Sequence, residues 1–168
     1  MHLFAEKAER KRMRVTKYGT RMDERKRPVL VKEKAVNYPE AVNTPAKICQ
    51  MINEMFQLSS MTDEYAYMIA VDPKCQIKGV FEISHGTQSM TLLSSQTIFR
   101  NALLVGASSI FIVHNHPSGD VTPSEMDKKS TEKIKKAGEL LEVQLLDHLI
   151  IGAEGRYFSF HDHGLLGR

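Results

Sequence analysis

The stretch Ile110-Phe111-Ile112-Val113-His114-Asn115-His116-Pro117-Ser118-Gly119-Asp120-Val121-Thr122-Pro123-Ser124-Glu125-Met126-Asp127 decides how this chain is read. Ser109–Val113 is a short apolar run rich in β-branched residues, the pattern of a buried strand. His116 to Pro123 is crowded with Pro, Gly and Asp, a loop. Ser124 then opens a helix that the pattern carries to about Leu141. His114 and His116 lie two apart where the strand ends, so both imidazoles project to one side. Asp127 falls in the first helical turn. Two imidazole nitrogens and one carboxylate form a three-ligand set that leaves a position for water, the arrangement of a catalytic rather than a structural zinc.

The flanking sequence fits an α/β domain. Thr44-Pro45 starts a helix, with Thr as N-cap and Pro in the first turn, and Ile48, Met51, Ile52, Met55 and Phe56 recur at helical spacing to about Leu58. Tyr65–Val71, the turn Asp72-Pro73-Lys74 and Gln76–Ile83 read as a hairpin. Ser94 or Ser95 caps a helix expected to turn Ile98, Ala102, Leu103 and Val105 inward. Val143–Ile151 and Arg156–Phe160 read as strands around a turn at Gly152–Gly155. Pro28-Val29-Leu30-Val31 suits an edge strand with Pro at its first position, and residues 1–27 read as a poorly specified helix or a mobile arm. Interleaved helices and strands with hairpins imply a mixed sheet.

The chain has 168 residues, 42% hydrophobic and 26% charged, as expected of a globular protein. No apolar run reaches the roughly 20 residues that span a bilayer, and no signal-peptide stretch stands at the N-terminus, so no membrane partner and a cytoplasmic location are expected. Two cysteines, Cys49 and Cys75, suit neither a CxxC zinc site nor a disulfide framework. Residues 1–34 hold twelve Lys/Arg against five Asp/Glu, a net of +7 that leaves −4 on the rest of the chain. This basic arm, taken as residues 1–40, makes Arg10, Lys11, Arg12 and Arg14 candidate phosphate contacts, although no aromatic platform accompanies them. Residues 41–168 are the expected catalytic domain.

Each part of the central stretch has a plainer reading. A lone His-x-His at a strand end is usually an ordinary surface or core pair. Ser124 followed by Asp127 is a capping arrangement, and His161-Asp162-His163, also a His-x-His, has no downstream acid and suits a solvated turn. It is the combination, His-x-His-x7-Ser-x2-Asp, that stands out, because composition alone yields it about 10⁻³ times per chain.

His114-x-His116-x7-Ser124-x2-Asp127 matches the JAMM motif of JAB/MPN metalloproteins. With Gly86-Thr87 upstream and Leu146-Asp147-His148-Leu149-Ile150 downstream, the chain over about residues 60–166 closely resembles the RadC family. The resemblance implies a JAB/MPN fold, a cytidine-deaminase-like mixed, curved β-sheet flanked by helices. It departs at the front, where the basic arm stands in place of the usual RadC helix-hairpin-helix region.

Carried over, the resemblance makes His114, His116 and Asp127 ligands of one Zn2+ per chain, with Ser124 helping to hold the oxygen of a tetrahedral intermediate. Such enzymes also need an acid from an earlier strand, and Glu82, at the end of the hairpin strand, is the candidate. The implied reaction is metallopeptidase or isopeptidase hydrolysis by a metal-activated water, on a peptide substrate that the sequence does not name. The competing readings are a DNA-repair-associated or nucleic-acid-binding protein using the basic arm and a non-catalytic JAB scaffold. Two His and one carboxylate also suit ferrous iron. Asn115 points away from its His neighbours and is expected to fix the loop. Asp147 and His148 read either as a pair orienting a ligand His or as a satisfied polar pair.

Overall fold

A computed structural model describes residues 13–38, 42–86 and 93–167. The elements run β1 (Met13–Met22), β2 (Pro28–Tyr38), α1 (Pro45–Phe56), β3 (Tyr65–Val71), β4 (Ile77–His85), α2 (Ser95–Leu104), β5 (Ser109–Asn115), α3 (Glu125–Leu141), β6 (Gln144–Ile151) and β7 (Tyr157–Ser159), with two short 3-10 turns. The strands form one seven-stranded sheet in the order β2-β1-β4-β3-β5-β6-β7. β3 is antiparallel to both β4 and β5, whereas β5 and β6 run parallel and are joined by α3. The expected mixed sheet flanked by helices is what the chain adopts.

The two faces of the sheet carry separate cores. On one, Ile48, Met51 and Ile52 of α1 pack with Leu58 against Tyr67, Ile69, Val113, Leu149 and Ile151. On the other, Ile98, Phe99 and Ala102 of α2 and Ile134 of α3 cover Met68, Phe81, Ile110, Ile112 and Ile150. Side chains alternate between these faces along each strand, so parity decides what each strand-end residue can reach. α1 and α2 start where expected: Thr44 Oγ1 accepts the Lys47 N–H and Ser94 Oγ accepts the Thr97 N–H.

Two expectations need correction. From residue 13 the basic stretch is neither helix nor mobile arm but β1, paired along its whole length with β2. Its apolar signal was diluted by charge: Val15 is fully buried, Tyr18 stacks on Phe81 at 5.8 Å, and Lys17 Nζ lies over the Phe56 ring at 5.9 Å. Asp23 closes the hairpin by accepting the Arg25 and Arg27 N–H groups on Oδ1. The second correction is Leu103, 55% exposed rather than inward. Ile98 and Ala102, four apart, share the buried stripe, and the next residue lies about 100° around the helix. Arg10, Lys11 and Arg12 lie outside the described residues, whereas Arg14 is an exposed residue of β1 opposite Asn37.

Candidate metal centre

β5 continues one residue beyond His114, and the chain then turns into the loop that leads to α3. That loop is pinned to the β6–β7 turn: the His116 N–H donates to the Ile151 carbonyl at 3.0 Å and the Ala153 N–H to the Gly119 carbonyl at 3.3 Å. Gly152 presses so closely that a Cβ there would strike the Gly119 carbonyl. At the start of α3 a full capping box forms. Ser124 Oγ accepts the Asp127 N–H at 3.1 Å, while Asp127 Oδ2 accepts the Ser124 N–H at 2.7 Å and its hydroxyl at 2.6 Å. The capping arrangement of Ser124 and Asp127 is formed, and it leaves the Asp127 carboxylate facing the two imidazoles. The Ser124 hydroxyl is directed at the Asp127 carboxylate.

These constraints bring His114, His116 and Asp127 together. The two Nε2 atoms are 3.0 Å apart, His114 Nε2 lies 3.3 Å from Asp127 Oδ1 and His116 Nε2 3.5 Å from Asp127 Oδ2. His114 and Asp127 are buried, and His116 is half-buried. Burial pushes the Asp127 carboxyl upward, but the two imidazoles and the Ser124 hydroxyl facing it outweigh burial and hold the group far below the usual carboxylate range. His116 is raised, chiefly by Asp127, against the effect of burial.

The hydrogen-bond partners fix which ring nitrogens carry protons. His116 Nδ1 lies 2.7 Å from the Asp120 carbonyl, which can only accept, so this nitrogen donates and Nε2 is left with its lone pair in the neutral ring. On the far side of His114, Nδ1 meets His148 Nε2 at 2.8 Å, and His148 Nδ1 meets Thr131 Oγ1 at 2.6 Å. His148 is fully buried, which together with the neighbouring His114 lowers its pKa well below the ordinary value. The His116 Nε2 lone pair and the Asp127 carboxylate face one another at 3.5 Å, with His114 Nε2 3.0 Å from the first and 3.3 Å from the second, and repel unless a proton or a cation lies among them. Nitrogen and oxygen donors of this kind suit a divalent transition ion. The three residues are the group of His, Cys, Asp or Glu among the described residues whose ligand atoms converge in this way.

Glu82 does not join them. It pairs with Tyr67, whose side chain belongs to the α1 face, while His114 continues the Ile110–Ile112 side toward α2 and α3. Glu82 instead accepts from Lys17 Nζ at 3.2 Å and from the Tyr67 hydroxyl at 3.4 Å. The acid that does reach the centre is Glu64, just before β3, 8% exposed and with Oε1 4.0 Å from His114 Nε2. Asn115, buried between the two His residues in sequence, brackets it: Oδ1 accepts the Tyr65 N–H at 2.8 Å and Nδ2 donates to the Asp63 carbonyl at 3.0 Å. The Gly86 N–H adds a bond to the Glu64 carbonyl. The expected loop-fixing role of Asn115 is thus directed at the loop holding Glu64. Sequence contained one signal for this: a hairpin brings the start of β3 and the end of β4 to one end of the sheet, leaving both Glu64 and Glu82 in play until parity is known.

The remaining polar residues are satisfied elsewhere. Asp147 takes the Ser159 hydroxyl at 2.5 Å and the His148 and His161 N–H groups. His161-Asp162-His163 forms an exposed turn, with His163 stacked on Phe158. No helix among the described residues is long and apolar enough to cross a membrane.

Comparison with known proteins agrees with this geometry. Residues 42–165 match the family model of the RadC-like JAB domain. A UPF0758 protein of Thermotoga maritima is 39% identical over 128 residues, 76% of this chain and 56% of that one. A UPF0758 protein of Chlorobaculum tepidum is 46% identical over 105 residues, 62% of this chain and 47% of the relative. One of Chlorobaculum parvum is 36% identical over 133 residues, covering 78% and 60%. The chain thus spans about half the length of the curated relatives it matches. With the matched segment spanning His114, His116 and Asp127, the chain belongs to the RadC-like JAB-domain family.

Proposed function

We propose that this protein is a zinc-dependent, JAMM-type hydrolase of peptide or isopeptide bonds. The observation that carries the reading is the convergence of His114 Nε2, His116 Nε2 and the Asp127 carboxylate beside the buried acid Glu64. His114, His116 and Asp127 would hold the ion. When bound, zinc supplies Lewis acidity toward a water and an amide carbonyl. The protein's own part is proton transfer and orientation. Glu64 takes a proton from the attacking water and passes it to the departing amine as the C–N bond breaks. Ser124 holds the Asp127 carboxylate in its orientation, the role its hydroxyl's direction supports.

Metal analysis of the purified protein tests the reading. About one zinc per chain is expected, lost in Asp127→Ala, together with chelator-sensitive cleavage in a peptide and isopeptide library screen. Full zinc retention by Asp127→Ala, or iron in its place, would overturn the assignment.

A further inference from the structure

We propose that His148 is a positioning residue of the metal centre: locked by Thr131 in the Nδ1–H tautomer, it accepts the Nδ1–H of His114 and thereby turns the Nε2 lone pair of His114 toward the ion. The proposal rests on the reading of His114, His116 and Asp127 as a ligand set.

The argument begins at Thr131, one turn after Asp127 in α3. Its Oγ1 lies 2.6 Å from the Asp127 main-chain carbonyl and 2.6 Å from His148 Nδ1. A carbonyl can only accept, so the single hydroxyl proton goes there. The contact with His148 then requires Nδ1–H to donate to the hydroxyl oxygen. His148 has no exposed surface, and its ring neighbours are another imidazole, a hydroxyl and the Phe160 ring stacked at 4.8 Å. Among the described residues no carboxylate pairs with the ring to offset a charge, so it is neutral with a bare Nε2. At 2.8 Å that nitrogen can only accept from His114 Nδ1. The opposite assignment leaves two oxygens at 2.6 Å with no proton between them and blocks His114 Nε2 with a hydrogen.

The result is a ring of bonds joining two ligand residues through β5, β6 and α3. The two His ligands are also backed differently. His116 uses a carbonyl of its own loop, whereas His114 depends on an acceptor from a different strand. Backing groups of this kind fix the orientation and tautomer of a metal-ligating imidazole.

The test uses the intact chain and zinc alone. Side-chain nitrogen NMR of the metal-free protein should show His148 protonated on Nδ1 and bare on Nε2. Competition against a chromophoric chelator should show Thr131→Val binding zinc about 10–100-fold more weakly than wild type, with Thr131→Ser restoring affinity to near wild type. A simple packing role for Thr131 would be met by Val, which keeps the volume, and not distinguished by Ser. An Nε2–H His148, or wild-type zinc affinity in a folded Thr131→Val, would overturn the proposal. Should Thr131→Val fail to fold, the wild-type tautomer measurement still decides. Failure of the underlying reading looks different: wild type and His114→Ala would bind zinc equally poorly.

Discussion

Asn115 accepts the Tyr65 N–H at 2.8 Å and so ties the end of β5 to the residue that follows Glu64. The residue between His114 and His116 therefore sets where the acid stands, and three expectations follow from this arrangement and its neighbours.

Asn115→Ala frees the backbone on both sides of Glu64. It leaves a part-buried N–H and carbonyl unpaired, a loss of about 1–3 kcal/mol in stability. Zinc content should persist because no ligand is touched, while any hydrolytic rate falls. Loss of zinc in a folded variant would place Asn115 in the ligand scaffold instead.

Glu64→Gln and Glu82→Gln should part company. The first should keep zinc and lower hydrolysis by roughly 10²–10⁴. The second should alter neither, since Glu82 faces α1. Its ion pair with Lys17, in which Glu82 is the more exposed partner, contributes at most about 1 kcal/mol. Paired metal analysis and rate measurements check both, and equal rate losses would mean that parity does not separate the two acids.

Ser124→Ala removes the capping box and the hydroxyl on Asp127 Oδ2 together. A loss of about 1 kcal/mol in stability is expected, accompanied by weaker zinc binding. Thermal melts with and without metal should show a larger difference from wild type in the loaded protein.

The thiols supply an alkaline signature. Burial, with a smaller contribution from Asp147, pushes the Cys49 thiol up to about 12 from 9.0. Because the folded value lies above the unfolded one, the stability is fully present below pH 9 and declines as pH rises toward 12, by up to about 1.4 kcal/mol per pH unit. Cys49→Ala should flatten that slope in denaturant titrations. In native protein a thiol reagent should find exposed Cys75 promptly and Cys49 only on unfolding.

What was legible in the sequence was local. The strand, loop and helix from Ser109 to Leu141 lie in one contiguous stretch, so periodicity, turn residues and a capping pair locate His114, His116 and Asp127 without knowledge of the sheet. Glu64 and His148 come from β-strand neighbours whose pairing is not written in either segment. Choosing between Glu64 and Glu82 needs the face on which Tyr67 packs, a property of the assembled sheet. His148 was visible as a candidate, but its partner Thr131 sits mid-helix, where a threonine announces nothing until a neighbouring strand comes to rest against it. β1 was hidden for another reason: Arg14, Lys17 and Arg21 interrupt it, and Val15 and Tyr18 pack on opposite faces across an irregularity between Lys17 and Tyr18, so no period of two shows.

The capping box at Ser124 and Asp127 has a mechanical side. β5 and β6 are parallel neighbours, so everything between them, loop and α3 alike, is one crossover hung from two strand ends. An ion gripped by His114 and His116 on one bank and Asp127 on the other would close a short covalently bounded ring at the near end of that crossover. The first turn of α3 would then open only together with the end of β5, whereas the far end keeps the closure it already has, the Glu142 and Val143 N–H groups on the Gly138 carbonyl. Loading the site would give the near end of the helix a second fastening and leave the far end as it was.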